Sequence, residues 1–116
     1  MRKQFEELRN AVVMYPEGEL DQYAAAELKS KIDIEMENSL KKNLIIDLSD
    51  VLLMDSSGIG LIIGRYKILR ARGGNIAVCS AKGSVRKVLM LSGIEKIIPY
   101  YENKDEADRS FKKDKG

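Results

Sequence analysis

The stretch from Leu53 to Ile63 constrains the fold most, because it has the pattern of a strand that passes directly into a helix. An apolar run leads into Asp55-Ser56-Ser57-Gly58, and apolar residues of helical period follow at once. Asp and Ser are preferred N-cap residues, since a side-chain oxygen can accept a backbone N–H of the first turn. The positive end of the helix dipole also favours negative charge there. A serine hydroxyl at this junction is therefore a suitable place for a phosphate.

Strand-like and helix-like segments alternate along the rest of the chain. Strands are predicted for 3–8 and 11–15 as a hairpin, then for 44–48, for 75–79 and around Ile97-Ile98. Helices are predicted for 22–42 with Asp21 as N-cap and Asn43 at its end, for 57–72, for 84–91 with Ser84 as N-cap, and for 104–113. This order favours a mostly parallel sheet with right-handed crossovers and an antiparallel edge pair. We predict one α/β domain over residues 1–116, with a basic tail that frays from about residue 110.

Composition excludes several classes of partner. The chain has 116 residues and a net charge of +2, with acids and bases interspersed, which argues against nucleic-acid binding. No apolar segment approaches the roughly twenty residues that a membrane span needs, and the N-terminus lacks the apolar core of a signal peptide. The single cysteine, Cys79, lies in an apolar run and is predicted to be a buried thiol. We expect a cytoplasmic monomer.

The absence of histidine argues against most enzymatic uses of the serines. A serine hydrolase would need a general base, and Met54-Asp55-Ser56-Ser57-Gly58 also lacks the first glycine of a nucleophile elbow. A receiver-type site at Asp55 lacks its expected acidic pair and lysine. Asp47, Asp50 and Asp55 offer no defined metal cage, so Asp47 is predicted to hold a loop at its strand end. We expect neither metal nor cofactor.

A nucleotide site remains an alternative, because Gly58, Gly60 and Gly64 follow a strand at a helix start. The next strand ends in Cys79-Ser80, with no acidic residue for a ribose, and no phosphate-loop lysine motif occurs. A nucleotide-binding or weakly nucleotide-hydrolysing domain is therefore kept as the second hypothesis.

The helix after the serines has two apolar stripes. The predicted core stripe is Ile59, Ile62, Ile63, Tyr66 and Leu69. A second stripe of Leu61, Gly64 and Ile68 lies nearly opposite, beside Ser57 and flanked by Arg65 and Arg72. Two interpretations stay open: a neighbouring helix covers the second stripe, or a partner protein docks there.

Three segments of the chain resemble the anti-sigma factor antagonists of the STAS domain family. They are Gly18-Glu19-Leu20-Asp21, the run Leu44 to Val51, and Met54-Asp55-Ser56-Ser57-Gly58-Ile59-Gly60. Gly73-Gly74 and Ser92-Gly93-Ile94 continue a resemblance that covers about residues 11 to 101. The segment from Met54 to Lys67 is most similar to the sporulation branch. The resemblance implies a small mixed sheet with an antiparallel edge pair and four helices.

The resemblance also implies a function in partner switching. A member of this family binds an anti-sigma factor with serine kinase activity, so that a sigma factor is released, and it is not itself an enzyme. The first serine after the aspartate takes the phosphate, which is Ser56 here rather than Ser57, and a protein phosphatase removes it. A STAS scaffold in a stress-signalling complex, independent of phosphorylation, is a further alternative. The expected partner-binding residues are Asp21, Asp55, Ser56, Ser57, Gly58, Leu61, Gly64, Arg65 and Ile68.

Overall fold

The computed structural model describes residues 3–111, which form seven strands and four α-helices. The strands are β1 (Phe5–Glu7), β2 (Val12–Met14), β3 (Gly18–Leu20), β4 (Leu44–Asp47), β5 (Val51–Met54), β6 (Ile76–Cys79) and β7 (Tyr100–Tyr101). The helices are α1 (Gln22–Asn38), α2 (Ser56–Ala71), α3 (Gly83–Ser92) and α4 (Lys104–Phe111), with a 3₁₀ turn at Ile94–Lys96.

The main sheet has the strand order β1-β2-β4-β6-β7. The β1–β2 pair is antiparallel, with Phe5 opposite Met14, and the other neighbours are parallel. This arrangement confirms the predicted mixed α/β fold and its edge hairpin.

Both faces of the main sheet are covered, and the central strand shows why its sequence is continuously apolar. Leu44 and Ile46 of β4 face a core built with α1, α2 and α3. Ile45 faces a second core that includes Ala107 and Phe111 of α4. Strands buried on both faces have such uninterrupted apolar runs.

A two-stranded sheet of β3 and β5 was not anticipated, because residues 18–20 were assigned to the loop after the hairpin. The two strands pair in parallel, with Leu20 opposite Met54 and a register irregularity after Gly18. Gly18 adopts a φ of +74°, which a glycine permits. Three residues with only Leu20 buried show no recognisable period, so the sequence pattern did not reveal this strand.

The first helix is shorter than predicted, ending at Asn38 instead of Lys42. Ser39 is extended, and its hydroxyl accepts the backbone N–H of Lys41 at 3.0 Å. Leu40, which continued the apolar period, is 97% exposed. Asn43 does not close the helix. It lies directly before β4, and its side chain donates a hydrogen bond to the Asn10 carbonyl, just before β2, at 3.1 Å.

The segment after α3 also differs from the prediction. The last strand lies at Tyr100–Tyr101 and not at Ile97-Ile98, because the αL residue Gly93 leads into the 3₁₀ turn. Ile98 is buried all the same. Ser84 does not cap α3, whose N-cap is Lys82 without a side-chain bond.

The fourth helix packs through Ala107 and Phe111, and Asp108 accepts the Asn10 backbone N–H at 2.9 Å. Residue 110, where fraying was expected to begin, is still helical. The rest of the expected tail, including Lys112 and Lys113, lies outside the described residues.

Candidate functional site

The Asp-Ser-Ser-Gly element forms the start of α2, as predicted. Asp55 is the N-cap, and its Oδ1 accepts the Ser57 backbone N–H at 2.8 Å. Ser56 is the first helical residue and is exposed, whereas Ser57 is half-buried. The aspartate therefore satisfies one end-of-helix donor, while the Ser56 hydroxyl lies at the surface beside the positive end of the helix dipole.

The β3–β5 pair brings the starts of α1 and α2 to the same edge of the fold. Because Leu20 lies opposite Met54, Asp21 and Asp55 follow at equivalent places after paired parallel strands. Asp21 is the N-cap of α1, and its Oδ1 accepts the Ala24 backbone N–H at 3.0 Å. The unanticipated strand is thus the element that places Asp21 at the serine site.

Gly58 has a packing role in the serine element. A Cβ at this position would lie 2.4 Å from Cγ and 2.7 Å from Sδ of Met54, and 3.2 Å from a methyl of Leu20. Gly58 therefore lets the first turn of α2 lie directly on both strands. By contrast, a Cβ at Gly60 or Gly64 would meet nothing within 4 Å. All three glycines lie inside α2 and form no loop around a phosphate, so the geometry does not favour the nucleotide hypothesis.

The buried face of α2 overlaps the predicted core stripe and extends beyond it, since Ile62 and Leu69 are buried and the rest of the stripe packs against the same core. Leu61 is 7% exposed and Arg65 is 5% exposed, and both belong to the face that packs inward. Ile59, Ile63 and Tyr66 are only half-buried. Of the second stripe, Leu61 is therefore covered in the core shared with α1, as the first interpretation expects, while Gly64 and Ile68 are half-buried. Leu61 is thus buried, where the docking interpretation of the second stripe expected an open side chain.

Part of the second stripe remains accessible. Gly60 is exposed, and Gly64 and Ile68 are half-buried. Ser56, Gly60 and Gly64 are spaced four residues apart, so they lie along one side of α2. An incoming backbone could approach this side closely because two of the three residues lack a side chain.

Arg65 is an unusual member of the buried face. Its Nε lies 3.5 Å from Oδ1 of Asp33 on α1 but makes no hydrogen bond. A buried donor without a partner costs about 1–3 kcal/mol. The same two helices share a second ion pair, Arg72–Glu37 at 4.0 Å, in which both side chains are exposed.

Two exposed apolar residues near the serines were missed by the sequence reasoning. Tyr23 lies two residues after the Asp21 cap and is 85% exposed. Leu53 lies two residues before the Asp55 cap and is 53% exposed. Tyr is enriched in protein interfaces, so a tyrosine in the first turn after the Asp21 cap is a signal that could have indicated Tyr23 as a candidate contact residue.

The other chemically reactive groups have structural roles. Asp47 accepts hydrogen bonds from the Ser49 backbone N–H at 2.9 Å and from the Ser80 hydroxyl at 3.3 Å, so it holds the loops after β4 and β6. Cys79 is buried, and burial raises the pKa of its thiol to about 12. Within residues 3–111, no group of three or more acidic or thiol side chains could hold a metal ion.

No helix in the described part of the chain has the length and apolar character needed to cross a bilayer.

Comparisons with known proteins agree with this geometry. The family model of the STAS domain matches residues 2–107. The chain is 33% identical to the anti-sigma F factor antagonist of Paenibacillus polymyxa over 100 residues. The aligned residues cover 86% of each of the two chains.

Two solved structures have the same fold, one described as the anti-sigma factor antagonist SpoIIAA in its unphosphorylated form and one as the Bacillus cell fate determinant SpoIIAA in the phosphorylated form. The unphosphorylated form is 30% identical, with a TM-score of 0.76 over 92% of this chain and 94% of that one. The phosphorylated form is also 30% identical, with a TM-score of 0.68 over 92% and 97% of the two chains.

Proposed function

The chain belongs to the STAS domain family, and from that premise we propose that it is an anti-sigma factor antagonist controlled by phosphorylation of Ser56. The observation that carries the proposal is the placement of Ser56. Ser56 is exposed at the first residue of α2, directly after the cap Asp55, one turn before the exposed Gly60 and at the edge of the fold where Asp21 begins α1. Proteins of this kind are regulatory binding proteins, so the chain acts by association and not as an enzyme.

The partner proposed is an anti-sigma factor with serine kinase activity. The unphosphorylated chain binds it, a sigma factor is released, and the kinase in time phosphorylates Ser56. A protein phosphatase then restores the binding form. This cycle operates in the cytoplasm, with the chain as a monomer, and the similarity to SpoIIAA favours a sporulation-type sigma factor.

Charge is the physical basis of the proposed switch. A phosphoserine carries about −1.5 to −2 charges near neutral pH. At the start of α2 this charge faces the positive end of the helix dipole, so the domain itself can accommodate it. A partner seated across Asp21, Asp55 and Ser56 would have to cover the same charge and remove it from water. Phosphorylation therefore weakens association while the fold stays intact.

The proposed docking surface comprises accessible residues around Ser56. Of the residues expected from the sequence, Asp21, Asp55, Ser57, Gly64 and Ile68 have accessible surface, and Tyr23 and Leu53 extend the surface at both helix starts. Gly58 and Leu61 contribute by shaping α2, since both are buried.

The test is phosphate mapping. The chain is incubated with ATP and the purified anti-sigma factor kinase of the same organism, and the product is digested and analysed by mass spectrometry. We expect one phosphate, on Ser56, and none on the Ser56→Ala variant, while Ser57→Ala remains a substrate. A protein that stays unmodified at both serines while binding the anti-sigma factor would instead support the phosphorylation-independent scaffold.

A further inference from the structure

A groove between α1 and α2 is lined by two cationic side chains, Lys29 and Arg65, to which the proposed switch at Ser56 assigns no role. Its volume is about 270 Å³, and it is lined by Ala25, Ala26, Lys29, Gly60, Leu61, Gly64 and Arg65. Small residues form the walls at the Ser56 end, and the two ionisable residues in the lining are both cationic. The groove is therefore open to a segment of another protein and complementary to negative charge.

Arg65 is the feature that identifies what the groove holds. Its side chain is 6% exposed, and its Nε has no hydrogen-bond partner. The adjacent Asp33 lies at ion-pair distance, 3.5 Å from Nε, but does not accept a hydrogen bond from it. The Nε itself is enclosed by protein, so it is the rest of the guanidinium, on the side chain that lines the groove, that can offer a carboxylate its planar fork of donors.

We propose that the groove receives an acidic side chain of the anti-sigma factor, whose carboxylate binds the Arg65 guanidinium between Gly60 and Gly64. This inference rests on the proposed function and adds the chemistry of the contact. The occupant is a partner side chain and not a phosphate on Ser56. Ser56 lies on the exposed side of α2, more than two turns from Arg65, at about 1.5 Å rise per residue.

The contact also explains why charge at Ser56 is effective. Ser56 lies one turn from Gly60 on the same side of α2, at the end of the groove. An acidic segment that enters the groove passes this position. A phosphate there repels the incoming carboxylate, whereas the unmodified hydroxyl does not.

Isothermal titration of the anti-sigma factor with matched arginine variants tests the contact. Arg65→Lys keeps the charge but loses the fork, and we expect binding to weaken about tenfold or more. Arg72→Lys is the control, because Arg72 forms the exposed ion pair between the same two helices. Its affinity should stay within about twofold of the original chain. Equal affinities for the two variants would overturn the proposal.

Variants of the acidic residues paired with these arginines distinguish a binding role of Arg65 from a purely structural one. Asp33 competes with the incoming carboxylate for Arg65, so Asp33→Asn should tighten binding several-fold even as it lowers the melting temperature. Glu37→Gln is the control at the exposed pair and should change neither property appreciably. An Asp33→Asn variant that binds more weakly than the original chain would contradict the proposal.

A groove-filling variant keeps the test decisive if Arg65→Lys unfolds. Gly64→Leu places a side chain in the groove, and its Cβ would meet nothing within 4 Å, so we expect a variant that folds, as circular dichroism can verify, but has lost binding. Normal binding by a folded Gly64→Leu variant would overturn the proposal. If the original chain neither binds the anti-sigma factor nor is phosphorylated by it, the proposed function fails. If it does both while Arg65→Lys binds as Arg72→Lys does, only the groove inference fails.

Discussion

At the scale of single residues, the serine element combines a surface group with a packing group. Ser56 is exposed, while Gly58 supports the helix on Met54 and Leu20. The pattern Asp-Ser-Ser-Gly was enough to predict the cap. It did not indicate that Gly58 is required for packing, because that requirement comes from β3, a strand without a sequence signal.

Gly58 provides the first prediction. Gly58→Ala should lower the free energy of unfolding by about 1–3 kcal/mol, because the new methyl overlaps the Met54 side chain. Gly60→Ala is the matched control in open space, and it should raise stability by about 0.5–1 kcal/mol through helix propensity. Urea denaturation of both variants gives the two values. Similar stability changes for both variants would show that Met54 yields without cost.

Ser56 provides the second prediction, on the sign of the charge effect. Ser56→Asp should weaken binding to the anti-sigma factor, and Ser56→Ala should bind and remain in the binding state. Ser84→Asp is the control, since Ser84 is also an exposed serine in the first turn of a helix, α3. Titration calorimetry measures all three. Equal affinities for Ser56→Asp and Ser56→Ala would show that charge is not what controls binding.

At the scale of elements, the sequence predicted the helices and strands that have a long hydrophobic period. It did not predict the elements and helix ends that are determined by tertiary contacts. The alternation of strands and helices, both Asp caps and the end of α2 at Gly73-Gly74 were recognisable. The Gly74 N–H donates to the Leu69 carbonyl at 2.8 Å, as a glycine-terminated helix commonly does. The end of α1 was not recognisable, because Leu40 continues the apolar period into a segment that must turn toward β4.

The two stripes of α2 show the same division. Hydrophobicity placed Ile59, Ile63 and Tyr66 in the core, and they pack at its edge. The fully buried face extends further, to Leu61 and Arg65. A buried arginine beside a carboxylate of α1 cannot be deduced from an apolar pattern. The sequence could therefore name the residues of the second stripe but could not say which of them α1 covers.

This division provides the third prediction, at Leu61. Leu61→Glu should destabilise the fold by several kcal/mol, roughly 3 or more, because it places a carboxylate in the α1–α2 contact. Lys67→Glu is the control on the exposed side of α2 and should change stability by less than about 0.5 kcal/mol. Circular dichroism with thermal melting distinguishes them. A Leu61→Glu variant that melts normally but fails to bind would restore Leu61 to the docking surface.

At the scale of the whole molecule, the fold separates its stability from its binding surface. The two cores lie on opposite faces of the main sheet, and the serine site lies at the edge where α1 and α2 begin. A charge added at Ser56 changes neither core. Under the proposed function, this separation would allow phosphorylation of Ser56 to alter association without unfolding the domain.

Cys79 provides the last prediction, the pH dependence of global stability. Its thiol is buried in the second core, and burial raises its pKa from 9.0 to about 12. Between these values the folded chain keeps a proton that the unfolded chain loses, so stability falls as pH rises. The slope from this group is about 1.4 kcal/mol per pH unit from roughly pH 9 to 12.

The Cys79→Ala variant isolates this slope. Urea unfolding between pH 7 and 10.5 should give a shallower alkaline loss for the variant, with parallel curves below about pH 8. The pKa values of Tyr15 and Lys104 are also raised, Tyr15 by burial and Lys104 by its hydrogen bond to Tyr15. Both groups lose stabilisation only above about pH 10 and are present in both proteins, so they do not affect the difference. Curves that stay parallel up to pH 10.5 would mean that the thiol ionises as readily in the folded chain as in the unfolded one.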